Sequence, residues 1–369
     1  MIRGIQNEYM PDVVSPPGET LQETLEAIGM SQAELAERTG RPKKTINEII
    51  KGKAGISPDT ALQLERVLGI PAAFWNNRER HYRESLARLA EQKRLQEQIA
   101  WLGKLPIRAM AKMGWIKKVK DDIHKLREAL NFFGVASPLE LEKVWDGPSA
   151  DFRASPKLQG NLWIAKAWLR KGELEAQKIR CARYNQATFR EKLYQIRSLT
   201  VESVEVFQPQ MISLCAQAGV ALVFVKEIPG IRVSGAARWL TPNKALIQLN
   251  LRYKKDDHLW FTFFHEAGHI FKHDKHLTFI EELQCSGIHT ETGQSDLEAE
   301  ADRFAANFLI PTGKYLKLLR RRPMSKEDIK RFAEEIGIAP GIVVGRLQHD
   351  GHLAYRHCNE LKRRLEWAA

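Results

Sequence analysis

The chain has 369 residues, a length that predicts two or three domains, and is 43% hydrophobic and 28% charged, a balance that excludes disordered and fibrous classes. Its formal charge of +12 favours an anionic partner such as nucleic acid, provided the basic side chains gather on one element. No apolar run is long enough for a bilayer, the N-terminus lacks a secretory core, and Cys181, Cys215, Cys285 and Cys358 have no paired spacing, so the expectation is a cytoplasmic chain with free thiols and no membrane contact.

Residues 1–18 are Pro-rich and aperiodic and read as an arm. Short helices follow from 19 to 75. Leu21, Leu25 and Ile28 keep helical spacing up to Gly29. Ser31 is an N-cap, with Glu34 placed for a capping box; Leu35 and Ala36 face inward, and Gly40 makes the turn. Pro42 opens the next helix, with Ile46, Ile49 and Ile50 as its buried stripe. Ser57 caps a further helix carrying Thr60, Leu62, Leu64 and Leu68. A short helix, a tight turn and a second helix with a basic open side make a helix-turn-helix, whose second helix enters the major groove. Lys43, Lys44, Lys51 and Lys53 are placed to neutralise phosphates, Thr45 and Asn47 to contact bases, and Gln32 to meet a phosphate at the first helix's start. The pattern SQAELAERTG…TINEIIKGKAGISPDTALQL resembles the lambda-repressor-like helix-turn-helix of the XRE family, nearest to antitoxins of the HigA type. That resemblance implies sequence-specific binding of double-stranded operator DNA by a homodimer.

Residues 78–130 are charged and helical, interrupted by Pro106, and could pair two chains or form an ordinary solvated helix. The stretch from 131 to about 200 carries Trp145, Trp163 and Trp168 and reads as a connecting helical layer. GVALVFVKEI (219–228) reads as a buried strand, and 234–253 as a hairpin around TPNK. In its second arm Leu246, Gln248, Asn250 and Arg252 share one face, with Ile247, Leu249 and Leu251 on the other. A helix then begins at DD, with Asp256 or Asp257 placed to cap it, and the remainder is mostly helical. The predicted fold is α+β and predominantly helical. It has an all-α helix-turn-helix domain (1–77), a helical connecting or dimerisation region (78–200) and an α+β domain with a small sheet (201–369).

HEAGH (265–269) puts His265 and His269 one turn apart on a helix, where neutral imidazoles bind one Zn²⁺. Glu266 is placed to act as general base on the attacking water. The hairpin could offer an edge to an extended peptide. In LEAEADRFAANFLIP, Glu298 and Asp302 share a face; Glu298 is the favoured third ligand, and Asp302 would orient a ligand histidine. Glu300, on the far side of the helix, is the competing ligand. Three protein ligands leave a position for water. His273 and His276 continue the histidine run, with His273 read as structural, and His289 reads as a loop residue.

RYKKDDHLWFTFFHEAGHIFKH, followed by EAEADRFAANFLIP, resembles the ImmA/IrrE metallo-endopeptidases, gluzincin-like zincins. IAPGIVVGRLQHDG (338–351) is similar to that family's closing region, so Arg346, Gln348 and His349 would lie near the site or support the core edge. The resemblance implies zinc, a thermolysin-like site and regulated cleavage of a repressor or another protein. Together the two halves predict a DNA-binding transcriptional regulator with a zinc endopeptidase domain that cleaves a regulatory protein. The alternative is a HigA-type antitoxin and repressor, partnered by a toxin, whose zincin-like domain is a non-catalytic sensor or scaffold.

Overall fold

The computed structural model describes residues 15–146, 162–231, 233–272, 279–282, 294–320 and 325–367. They form two compact units, one ending at Ile99 and the other beginning at Ala100. Among the described residues no helix is long and apolar enough to cross a membrane. The architecture is α+β and predominantly helical, as expected, but two units stand where three parts were predicted.

The first unit is all helical: α1 (Pro17–Ile28), α2 (Gln32–Thr39), α3 (Lys43–Ile50), α4 (Pro58–Leu68) and α5 (Ala72–Glu97). Its core is Leu21, Leu25, Leu35, Ala36, Ile46, Ile49, Ile56, Ala61, Leu64, Ala72 and Trp75. Ile28, which shares the helical spacing of Leu21 and Leu25, is 53% exposed, and Leu62 on α4 is 47% exposed. Ser31 and Ser57 cap α2 and α4 by accepting from the backbone N–H groups of Glu34 and Thr60. The Glu34 carboxylate pairs with Arg38 at 2.6 Å, so the capping box expected there is not closed on its second side. Gly40 ends α2 in the left-handed region (φ 64°), which an L side chain enters only with strain. The boundary expected at 77/78 falls inside α5, because Ala72 and Trp75 belong to this core and the helix runs on without a break.

In the second unit, α6 (Ile107–Lys112), α7 (Asp122–Phe133), α8 (Pro138–Asp146), α9 (Leu162–Gln177), α10 (Gln186–Ser198) and α11 (Val204–Gln217) precede the sheet. The sheet comprises β1 (Val220–Phe224), β2 (Val233–Thr241), β3 (Lys244–Leu249) and β4 (Phe279–Glu282) in the order β1-β3-β2-β4. β1 runs parallel to β3; β2 is antiparallel to both β3 and β4. The expected hairpin is thus present, but both its arms are interior. The peptide-docking edge expected from it is taken by β1 on one side and β4 on the other.

Both sheet faces are covered. Leu222, Ala237, Ile247 and Leu249 join a core with α12 (Asp256–Lys272), α15 (Lys326–Ile336) and α16 (Pro340–His349). Leu246, Val223 and Ala236 join a second core with Phe132, Phe133, Leu141, Trp145 and Trp168 from the preceding helices. The region predicted as a connector is therefore the second cover of the sheet, which is why it belongs to the same unit. Gln248, on the face expected to be polar, is fully buried and donates to the Trp168 carbonyl at 2.8 Å. Between α12 and α15 come α13 (Gln294–Leu309) and α14 (Thr312–Leu319).

Candidate metal centre and nucleic-acid interface

The helix α12 is buried on nearly every side. Trp260, Phe263, Phe264, Ala267 and Ile270 pack into the core, and His265 and His269 share the face toward α13. The two helices approach closely because the contact is made by small residues. A Cβ on Gly268 would stand 3.3 Å from the Ala301 Cα and 3.2 Å from Phe304 Cδ1. Valine or leucine at that crossing would push α13 away and carry its carboxylates with it.

At this separation His265 Nε2 lies 2.9 Å from His269 Nε2 and 3.1 Å from Glu298 Oε2, and His269 Nε2 lies 3.5 Å from the same oxygen. Tetrahedral donors about 2.0–2.1 Å from one zinc ion stand roughly 3.3 Å apart, so this triangle fits such an ion with little adjustment. The donor chemistry, two imidazoles and a carboxylate, suits zinc equally well. The histidines are buried, while the Glu298 side chain is 34% exposed, so the triangle has an open side. Burial works to raise the Glu298 carboxyl, but hydrogen bonds from His265 and His269 prevail and hold it down at about 2. It is therefore ionised and ready to ligate at neutral pH.

The neighbours of these donors settle where the other predicted residues go. Asp302 Oδ1 lies 2.8 Å from His265 Nδ1, placed to hold the ring proton on that nitrogen once Nε2 ligates an ion. Glu300 faces away and pairs with Lys272 at 3.3 Å, outside the donor group. Glu266 is fully buried beside β2. It fits because β2 has a glycine opposite: a Cβ on Gly235 would lie 2.7 Å from Glu266 Oε1 and 2.6 Å from Thr262 Cγ2. Nothing in the strand pattern singled out Gly235; an isolated glycine within a strand marking close approach of another chain element was the available signal. His273, His276, His289 and Cys285 lie outside the described residues. Cys181, Cys215 and Cys358 are free thiols.

The start of α12 departs from expectation. Asp256 and Asp257 are not simple solvent-facing caps; both are buried and paired with the C-terminal segment. Arg363 Nε lies 2.9 Å from Asp256 Oδ2, and Lys362 Nζ 2.6 Å from Asp257 Oδ2. Gln348 of α16 accepts from Lys362 at 2.7 Å and donates to the His357 carbonyl at 2.9 Å. Arg346 pairs with Asp350 at 2.7 Å, and the His349 side chain is 80% exposed. Gln348 therefore ties α16 to the closing segment, while Arg346 makes a salt bridge at the end of α16, both structural roles.

In the first unit, the open side of α3 carries Lys43 and Lys44, with Lys51 and Lys53 exposed just beyond its end. Thr45 and Asn47 are half-buried. Gln32 does not stand free at the start of α2. Its amide donates to Gln22 of α1 at 2.9 Å and accepts from Asn47 of α3 at 3.3 Å, so one side chain ties three helices together. The Gln32–Asn47 bond fixes the two amides predicted to meet DNA relative to each other.

Two family models match the chain. One, described as a helix-turn-helix, matches residues 21–75; the other, described as the IrrE N-terminal-like domain of peptidase family M78, matches residues 223–348. Virulence-associated protein I of Dichelobacter nodosus is 40% identical over 67 residues, covering 18% of this chain and 62% of that protein. An uncharacterized HTH-type transcriptional regulator of Escherichia coli, YddM, is 31% identical over 61 residues, covering 16% and 65%. The chain thus spans less than two thirds of either curated relative. Among solved structures, the Pseudomonas aeruginosa antitoxin HigA with its higBA promoter is 32% identical, covering 23% of this chain and 94% of that one, with a TM-score of 0.22. A HigA-family addiction module antidote protein from Coxiella burnetii is 29% identical, covering 23% and 92%, with a TM-score of 0.21.

Proposed function

From a chain that carries an XRE-type helix-turn-helix domain at its N-terminus and an IrrE-like domain of peptidase family M78 at its C-terminus, we propose a DNA-binding transcriptional regulator whose second half is a zinc endopeptidase acting on a regulatory protein. The observation that carries the enzymatic half is the convergence of His265, His269 and Glu298 within 4.8 Å of one another, beside a buried Glu266.

His265, His269 and Glu298 would hold the ion. A divalent ion bound there supplies Lewis acidity toward the scissile carbonyl. Glu266 takes the proton of the attacking water on a carboxylate oxygen and delivers it to the leaving amine. Asp302, through His265 Nδ1, keeps that imidazole in the ligating tautomer. The buried surroundings of Glu266 exclude bulk water from its carboxylate. The first unit places the chain on operator DNA through α3, two chains pairing on adjacent half-sites.

The test is metal analysis of the purified full chain at neutral pH, with Glu266→Gln as companion. One zinc per chain in both, with cleavage of a co-expressed regulatory protein lost only in the variant, is the expected result. Absence of bound metal removes the enzyme. Metal retained, no cleavage by either protein, and operator binding indifferent to Glu266→Gln would leave a repressor of the antitoxin type with a non-catalytic second half.

A further inference from the structure

A cavity of about 720 Å³ opens beside α13, within the volume range of small-molecule sites. It is not the metal centre. Glu298 and Asp302 share one face of α13, while Glu300, Arg303 and Asn307, which line the cavity, fall on the other at about 100° per residue.

The lining is rich in cations. Arg197, Lys272, Arg303 and Lys314 face it, against the single carboxylate of Glu300. Arg197 is committed to structure: its guanidinium donates to the carbonyls of Phe308, Leu309 and Ile336, sealing the end of α13. Lys272 and Glu300 compensate each other at 3.3 Å. Arg303 and Lys314 remain. Both are exposed, and among the described residues neither has an ion-pair partner. Two positive side chains therefore line one hollow in which, among the described residues, the one carboxylate, Glu300, is already engaged by Lys272.

The other part of the wall is aromatic. Tyr194 is 62% exposed, yet its ring centroid lies 4.7 Å from that of Phe308 at an interplanar angle of 33°. Phe304 backs Phe308 at 5.5 Å. A largely exposed tyrosine leaning at an angle on an apolar base offers a surface for stacking. An ordinary solvated lysine–arginine surface accounts for the charges but not for an aromatic platform within the same concavity.

We propose that this cavity binds a small anion bearing a flat ring, the chemistry shared by mononucleotides and aromatic carboxylates. Arg303 and Lys314 hold the anionic group, and the ring stacks on Tyr194. The helix α13 then carries a metal carboxylate on one face and an effector pocket on the other. The proposal stands whether or not the metal centre is catalytic.

Isothermal titration of the full chain with adenosine 5′-monophosphate, 4-hydroxybenzoate, inorganic phosphate and adenosine tests it. One of the first two is expected to bind saturably with a Kd below roughly 1 mM. Phosphate and adenosine, each lacking half of the recognised chemistry, should bind at least about tenfold more weakly. Arg303→Ala with Lys314→Ala, and separately Tyr194→Ala, should each weaken binding about tenfold at unchanged melting temperature; Lys43→Ala with Lys44→Ala should leave it intact. Failure of both ring-bearing anions to saturate, affinity indifferent to the cavity substitutions, or loss of binding with the α3 lysines would overturn the assignment.

Discussion

Asp302 reaches the candidate metal centre through one atom: its Oδ1 lies 2.8 Å from His265 Nδ1, across the crossing of α12 and α13. The carboxylate is 58% exposed, so its removal disturbs little packing. On the proposed reading it fixes the tautomer and orientation of His265. Asp302→Ala is expected to lower zinc affinity about 10–100-fold with the fold retained. Competition with a chromogenic chelator measures this, and unchanged affinity would dismiss the orienting role.

Gly235 provides the space in which Glu266 sits. Gly235→Ala brings a methyl carbon to 2.7 Å from Glu266 Oε1 and 2.6 Å from Thr262 Cγ2. Relief requires the Glu266 side chain to move, because both α12 and β2 are held in the core. The expected outcome is a chain that still binds zinc, loses about 1–3 kcal/mol of stability and loses hydrolytic activity as Glu266→Gln does. Full activity in the alanine variant would show that the carboxylate is not confined by β2.

How much of this was legible depended on sequence distance. Ser31, Gly40 and Ser57 mark helix ends by chemistry that acts within four residues, so they can be read directly. His265 and His269 follow from helical periodicity, and Glu298 from the acidic face of the next apolar helix. The two-sided burial of the sheet was not legible. Gln248 marks β3 as half-polar, yet it is buried and its Nε2 donates inside the fold to the Trp168 carbonyl, 80 residues away in sequence. Likewise Asp256 reads as a cap from its neighbours alone, and its partner Arg363 lies 107 residues downstream. Buried polar groups satisfied over such distances leave no local pattern.

On α3, Lys43 and Lys44 are exposed, and among the described residues their one ion pair with a carboxylate is loose, Lys44 to Glu48 at 3.9 Å. If both meet phosphates, Lys43→Ala with Lys44→Ala reduces the slope of log affinity against log salt by about 2 and weakens all DNA sequences alike. Gln32→Ala should behave differently. It breaks the Gln22–Gln32–Asn47 chain, so Asn47 is no longer held and discrimination among operator sequences falls more than overall affinity. Fluorescence anisotropy over a salt series with specific and scrambled duplexes separates the two. An unchanged slope in the double lysine variant would place the DNA contact elsewhere.

Arg363 joins the last residues of the chain to the helix that bears the histidines. Its guanidinium reaches the Asp256 carboxylate at 2.9 Å and also donates to the carbonyls of Thr200, Val201 and Glu202. Burial pushes the Asp256 carboxyl above its ordinary value, although the Arg363 hydrogen bond and charge pull it down. A carboxyl raised in the folded state contributes stability fully below its unfolded pKa of 3.8, and that contribution is lost as pH rises through the folded value. Arg363→Met removes the main force opposing the rise, so the folded value climbs further and the loss deepens toward neutrality. The variant should therefore approach wild-type stability near pH 4 and fall behind by about 3 kcal/mol at pH 7, the lower end for a broken buried pair because the arginine is 35% exposed. Adding Asp256→Asn to Arg363→Met should flatten that pH dependence. Urea unfolding of the three proteins at both pH values decides the matter, and a deficit that stays constant with pH would show that Arg363 acts through the three carbonyls and not through Asp256.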